Sequence, residues 1–526
     1  MIYLLHQALE ESALRYPDHP AFRFQNQALT YADLARRAAQ LARTLQEQGI
    51  GKHDRVGVFL DKSLETAISI YGIMMAGGAY IPLDPKSPVT RLVSIIEDCQ
   101  LTGIIAQDSR AQVLDEAAGL TPILRFVVGT QATTASSVRS VSWQEVEAQP
   151  PGLLSPVRLM EQDLAYIMYT SGSTGKPKGI MHTHSSGLSY ARMSAATYDV
   201  NHDDRLSNHS PLHFDMSTFD YLTAVLCGAT TTIIPEAYTL FPVNLAKLIE
   251  ADRLTIWYSV PFALIQLITR GVLEERDLSA IRWVLYGGEP FPLGHLRALM
   301  DRLPQARFSN VYGPAEVNQC TYYHLPPPTA WPADWDNIPL GVIWDNADSL
   351  IVDTEDQPVP PGAVGELVVR TPTMMRGYWR RPDLNARAFY RREVFPDFEA
   401  VYYRTGDLVR ENADGLLEFL GRKDHQVKIR GFRVELAEVD TALSSHEAIE
   451  HGAAFVIRRE EGDVLAGAVM LKPNAQVSAE TLIAYLRDRL PVYAVPAAIY
   501  FLEAMPRTGT GKIDRKALHV AALHAE

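Results

Sequence analysis

Cysteine is scarce: 526 residues contain three, Cys99, Cys227 and Cys320, with no metal-ligand spacing among them. That argues against a disulfide framework and for buried, inert thiols in a reducing compartment. Blocks of one charge are also absent. The net charge is −13, from 49 Lys and Arg against 62 Asp and Glu, spread along the chain. Nucleic acid and anionic membrane surfaces are therefore disfavoured as main partners. Long hydrophobic runs are missing too. The longest apolar stretch, about 68–83, is broken by Gly72, Gly77 and Gly78 and is too short to span a bilayer. Residues 1–6 carry no positive n-region and no cleavage site, so no signal peptide is expected and a cytoplasmic location is. There is no internal repeat, low-complexity tract or heptad pattern.

What is present is a globular composition, 47% apolar and 21% charged, in a chain long enough for roughly two to four domains. Thr30 caps a helical pattern from Leu29 onward. Arg55–Leu60 reads as a buried strand and Ser63–Ala76 as a helix. Thr230–Pro235, Val243–Ala251, Thr255–Ser259 and Trp283–Gly288 repeat the alternation. Strands interleaved with helices predict α/β layers with largely parallel sheets. Short β runs at about 340–420, such as Ser349–Asp353 and Gly365–Arg370, predict a barrel-like β subdomain. Beyond it, about a hundred residues form a compact α+β unit. The expected fold is α/β: a large N-terminal domain, 1–423, of two layered α/β subdomains plus the β subdomain, and a small mobile C-terminal domain, 424–526.

The segment Tyr169–Gly179 packs three glycines, four hydroxyls and two lysines into one loop after the apolar run Leu164–Met168. Free backbone N–H groups, hydroxyls and cations suit it to a polyphosphate. It is not a Walker A loop. Thr170 stands where that motif needs its first glycine, and Pro177 where it needs the Mg²⁺-binding hydroxyl. Further polar, Gly-rich stretches fall at strand ends: Gly287–Pro290, Asn310–Glu316, Tyr403–Leu408, Gly421–Gly431 and Pro506–Arg515. Loops held by a rigid scaffold are where binding residues gather.

In this order, these stretches resemble the adenylate-forming superfamily: acyl-CoA synthetases, luciferase-like enzymes and nonribosomal-peptide adenylation domains. The resemblance runs from Leu29 to Lys512. It implies that a carboxylate attacks the α-phosphorus of ATP, giving an acyl-adenylate and pyrophosphate, and that a thiol then takes the acyl group. By resemblance, Thr170, Ser171, Ser173, Thr174 and Lys178 wrap the phosphates. Gly288, Asn310 and Tyr312 surround adenine, Asp407 accepts the ribose hydroxyls and Arg422 lies nearby. Glu316 helps to hold Mg²⁺. Lys512 bridges the substrate carboxylate and the α-phosphate as the catalytic residue. Asp424 matches the hinge about which the small domain swings, presenting either Lys512 or the Lys428–Gly431 region. The chain departs from the family at Ala315, where a Thr hydroxyl usually touches the α-phosphate.

His213–Asp220 bears on the substrate. In amino-acid-activating members the aspartate here, Asp215, pairs with the α-ammonium. By resemblance the remaining pocket is Met216, Phe219, Tyr258, Leu285, Gly287, Val311, Gln319 and Cys320. Its bulk, and its lack of charged residues, imply a small uncharged amino acid such as alanine, proline, serine or glycine, or a β- or γ-amino acid. Gln319 reads either a polar substrate group or a neighbouring backbone group. Around Trp257–Pro261 the sequence is similar to stand-alone prolyl-type and other small-amino-acid ligases, which implies secondary-metabolite biosynthesis. With no Gly-Gly-x-Ser-like site after Lys512, a separate carrier protein is the expected source of the phosphopantetheine thiol. An acyl- or aryl-CoA synthetase and a catalytically silent binding homologue are the competing readings.

Overall fold

The computed structural model describes residues 1–131, 138–172, 177–333, 335–424, 426–459, 462–507 and 513–523. Two large sheets dominate the N-terminal part. One has the spatial order Val342–Ile343, Thr321–His324, Arg307–Tyr312, Trp283–Gly287, Ile256–Ser259, Arg205–Asn208, Thr230–Ile233, Pro20–Phe24 and Gln27–Thr30. Its central strands are parallel. They are buried almost throughout, as parallel strands covered on both faces are. The chain leaves Arg205–Asn208 towards Thr230–Ile233 on one side and returns to Ile256–Ser259 on the other. Such a reversal opens a crevice at the strands' carboxyl ends.

The second sheet centres on Arg55–Phe59 and Ala79–Pro82 and runs on one side through the antiparallel pair Leu164–Thr170 and Lys178–Thr183 to the edge strand Gly377–Tyr378. The helix Leu64–Ala76 is buried at almost every position, so it carries no polar stripe. Its neighbour Tyr31–Glu47 approaches over Gly72, where a Cβ would lie 2.8 Å from the Leu41 side chain. Thr30 caps that neighbour, its side chain accepting the Asp33 N–H.

A five-stranded antiparallel sheet follows. Its long strand Phe398–Glu411 pairs first with Phe389–Phe395 and then with Leu417–Arg422. This exchange of partners, with a register shift at Leu408, turns the corner expected of a barrel-like subdomain. The small C-terminal domain has the hairpin Gln426–Ile429 and Phe432–Glu435, then the strands Ile449–Ile457, Val464–Leu471 and Ala498–Phe501, with the helices Leu436–Ser444 and Ala479–Arg487 packed on them. Among the described residues, no helix is long and apolar enough to cross a membrane.

Candidate active site

Four adjacent parallel strands end at Asn208, Ser259, Gly287 and Tyr312, and the loops that follow them meet in one crevice. Residues 209–218 enter from the first. Lys62, itself buried, donates to the carbonyls of Asn208 (3.0 Å) and His209 (2.5 Å), which fixes where this loop departs. Burial lowers its pKa to about 8. Asp215 follows, accepting the Met216 N–H at 3.0 Å. Burial pushes its carboxyl up to about 6, against the opposing pull of Lys428.

The crevice holds a cavity of about 100 Å³. Of the expected substrate residues, Asp215, Met216, Tyr258, Gly287, Val311 and Gln319 line it, as do Thr170, Ser171, Gly288, Tyr312, Asp407 and Arg422. Phe219 and Leu285 lie one layer back, packed with Tyr258 and Val311 in a buried cluster. Cys320 is fully buried against Val317 and Leu340. They shape the wall from behind rather than form it.

Tyr312 donates its hydroxyl to Asp407, and Arg422 pairs with the other Asp407 oxygen at 2.5 Å. Burial raises the Asp407 pKa, while Arg422 lowers it. Arg422 also grips Asp424 in a bidentate pair at 2.7 and 2.8 Å. Asn310 spends its Nδ2 on the Pro339 carbonyl (2.8 Å), so its Oδ1 is what a ligand's amino group would meet. Thr170 Oγ1 is buried with no partner among the described residues, and Ser171 Oγ donates to the Arg433 carbonyl at 3.1 Å. Ser173, Thr174 and Lys512 lie outside the described residues.

Glu316 is completely buried. Oε1 accepts from Tyr378 (2.7 Å) and Lys178 (3.4 Å), and Oε2 from Arg433 at 2.7 Å. Burial alone would raise its pKa, but Arg433 and Lys178 hold it well below the carboxylate range. A hard cation suits this carboxylate chemically. Its charge is nevertheless already balanced while Arg433 stays in place. Neighbouring Ala315 lines the cavity, and its carbonyl faces His182 Nε2 at 2.9 Å.

Arg433 belongs to the C-terminal hairpin, which reaches into the crevice. Arg430 (φ 51°) and Gly431 (φ 82°) form its two-residue turn, the combination that a type I′ hairpin needs. A Cβ on Gly431 would lie 2.3 Å from Val260, so only glycine lets the tip press this close. The Gly431 N–H donates to Glu289 at 2.9 Å. Phe432 packs on Phe214 and stacks on Tyr493. Lys428, lowered by burial, faces Asp407 and Asp215.

Residues 9–379 match the family model described as AMP-binding enzyme, and residues 438–512 its C-terminal domain model. The chain belongs to the AMP-binding enzyme family. It is 32% identical over 98% of both chains to the L-proline--[L-prolyl-carrier protein] ligase of Pseudomonas fluorescens (strain Pf-5). A protein of the same name from Streptomyces coelicolor is 34% identical, over 97% of this chain and 95% of its own. The match to bacitracin synthase 3 of Bacillus licheniformis is 33% identical over 98% of this chain, but this chain spans only 8% of that protein's length. Among solved structures, the Vibrio cholerae adenylation domain AlmE has a TM-score of 0.85 at 23% identity, over 100% and 98% of the two chains.

Sequence reasoning passed over several groups of this AMP-binding enzyme. Tyr378 and Arg433 complete the surroundings of Glu316, and Glu289 receives the hairpin tip. Glu289 stood inside one of the Gly-rich stretches at strand ends, which was the signal available. Tyr378 had none, because its contact joins segments 62 residues apart.

Proposed function

We propose that this enzyme activates a small uncharged amino acid as its aminoacyl-adenylate and passes the acyl group to the phosphopantetheine thiol of a separate carrier protein. The observation that carries the reading is the meeting of two cavities. The cavity beside Asp215 shares Phe214, Met216, Gly431 and Tyr493 with a largely apolar one of about 420 Å³ between the two domains. A half-buried carboxylate at the inner end suits an ammonium, and an elongated apolar approach suits a flexible arm. Full-length similarity to two proteins named as L-proline--[L-prolyl-carrier protein] ligases supports the same chemistry.

In the first step a substrate carboxylate oxygen bonds to the α-phosphorus of ATP and pyrophosphate leaves with the electron pair. Thr170, Ser171 and Lys178 would face the phosphates, Tyr312 and Gly288 the base, and Asp407 the ribose. Mg²⁺, held with Glu316, would neutralise phosphate charge. Lys512 is proposed to bridge the reacting oxygens, supplying positive charge where negative charge builds. In the second step the thiol sulfur attacks the acyl carbon, AMP departs and the thiol proton passes to solvent. The docked hairpin suits this second step, because Gly431 lines both cavities and Lys428 lines the inner one. A turn about Asp424 would exchange the hairpin for Lys512.

Substrate-dependent exchange of labelled pyrophosphate into ATP, across amino and carboxylic acids, tests the first step. Mass change of a phosphopantetheinylated carrier protein tests the second. Exchange only with acids lacking an amine would overturn the reading in favour of an acyl- or aryl-CoA synthetase. No exchange with any acid would leave a silent homologue.

A further inference from the structure

Gln319 is 2% exposed and lines the cavity beside Asp215. Its Nε2 donates to the Tyr198 hydroxyl at 2.8 Å and to the Thr321 carbonyl at 3.3 Å. A carbonyl can only accept, so the Thr321 contact fixes which end of the amide is nitrogen. The opposite end, Oε1, is then an acceptor, and it is buried with no partner among the described residues. Tyr198, which holds the amide, is itself immobile: it is fully buried, edge-on to both Phe219 and Trp283. A buried acceptor without a donor is a standing penalty that the right ligand removes.

Resting on the amino-acid-activating reading above, we propose that Gln319 is a specificity-determining residue whose Oε1 accepts a hydrogen bond from a side-chain hydroxyl of the substrate. The preferred substrate is accordingly a small hydroxy-amino acid rather than alanine, glycine or proline. Asp215 holds the α-ammonium, and the hydroxyl satisfies Oε1 on the same cavity wall. Position 287 must be glycine, since a Cβ there would meet the Val311 carbonyl at 2.1 Å. A second ammonium is disfavoured as the donor, because Oε1 is neutral and a buried cation needs an opposite charge. A site built to bond a substrate hydroxyl discriminates strongly against the analogue that lacks it, because the protein's own group is then left unpaired.

The test compares kcat/KM for pyrophosphate exchange between pairs of near-equal shape: serine against 2-aminobutyrate, and homoserine against norvaline. The wild-type enzyme should prefer one hydroxyl member over its partner by about 10–100-fold. Gln319→Leu should bring that ratio to about one by slowing the hydroxy-acid alone. The wild-type comparison needs no variant, so it stands even if Gln319→Leu fails to fold. Exchange that favours 2-aminobutyrate, alanine or proline over every hydroxy-amino acid would overturn the role of Gln319 while leaving amino-acid activation intact. Equal loss with all substrates in the variant would also overturn it, making Gln319 a packing residue. Exchange only with acids lacking an amine would instead remove the reading on which it rests.

Discussion

Asp215 illustrates how one residue sets both chemistry and pH response. Its carboxyl titrates at about 6 because burial disfavours the charged form. In its proposed role Asp215 offers that charge to the substrate ammonium, so a proton would compete with the substrate. KM for the amino acid is therefore expected to be flat above about pH 7 and to rise about tenfold per unit below 6, while KM for ATP stays level. Asp215→Asn should raise the amino-acid KM by about 100-fold and abolish the inflection, as steady-state exchange between pH 5 and 8 would show. A wild-type KM without inflection in that range would sink this assignment. Asp215 was legible in the sequence through its motif. Its elevated pKa was not, because burial and the approach of Lys428 are properties of the assembled crevice. For the same reason the alternatives for Gln319 narrowed only once Tyr198 and Thr321, 121 and two residues away, were seen to hold its nitrogen.

At the scale of elements, the hairpin Gln426–Ile429 and Phe432–Glu435 matters most. Its Arg433 neutralises Glu316, and in the proposed mechanism the same carboxylate would serve either the docked arginine or a cation arriving with phosphates. Arg433→Met should leave Glu316 buried with Lys178 as its one cation and Tyr378 as its neutral donor, at a cost of about 3–5 kcal/mol to the docked pose. Single-turnover transfer from preformed adenylate to the carrier thiol should then slow by at least about 100-fold, with pyrophosphate exchange changed by no more than a few-fold. Exchange and transfer falling together would show that Arg433 serves both steps. Local pattern placed Gly431 at the end of the polar, Gly-rich stretch Gly421–Gly431 and did not announce the turn. Nor did it announce the docking, since Val260 and Glu289 lie some 140–170 residues earlier.

At the scale of the molecule, the two domains are joined by a buried pair, Arg91 with Glu438 at 2.9 Å, supported by Thr90 donating to the Asp488 carbonyl. Burial raises the Glu438 pKa and Arg91 counters it, so removing the arginine strands a carboxyl that burial already disfavours. Arg91→Met should loosen the domain contact by about 3 kcal/mol, visible as a larger radius of gyration in small-angle scattering and faster proteolysis between the domains. An unchanged scattering profile and digestion pattern would deny the pair that role. By itself the sequence determined the α/β class, the order of the polar loops and the family, because helix and strand periods and short motifs are local. Only the tertiary structure decided which of those loops share a cavity, that Phe219, Leu285 and Cys320 stand behind the wall, and that Glu316 is met by Arg433. Those facts depend on strand order and domain docking, which join residues hundreds of positions apart and leave no local trace. The Gly-rich segment 169–179, proposed to face phosphates, was the plainest local signal, yet the partner of its Ser171, Arg433, came from the other domain.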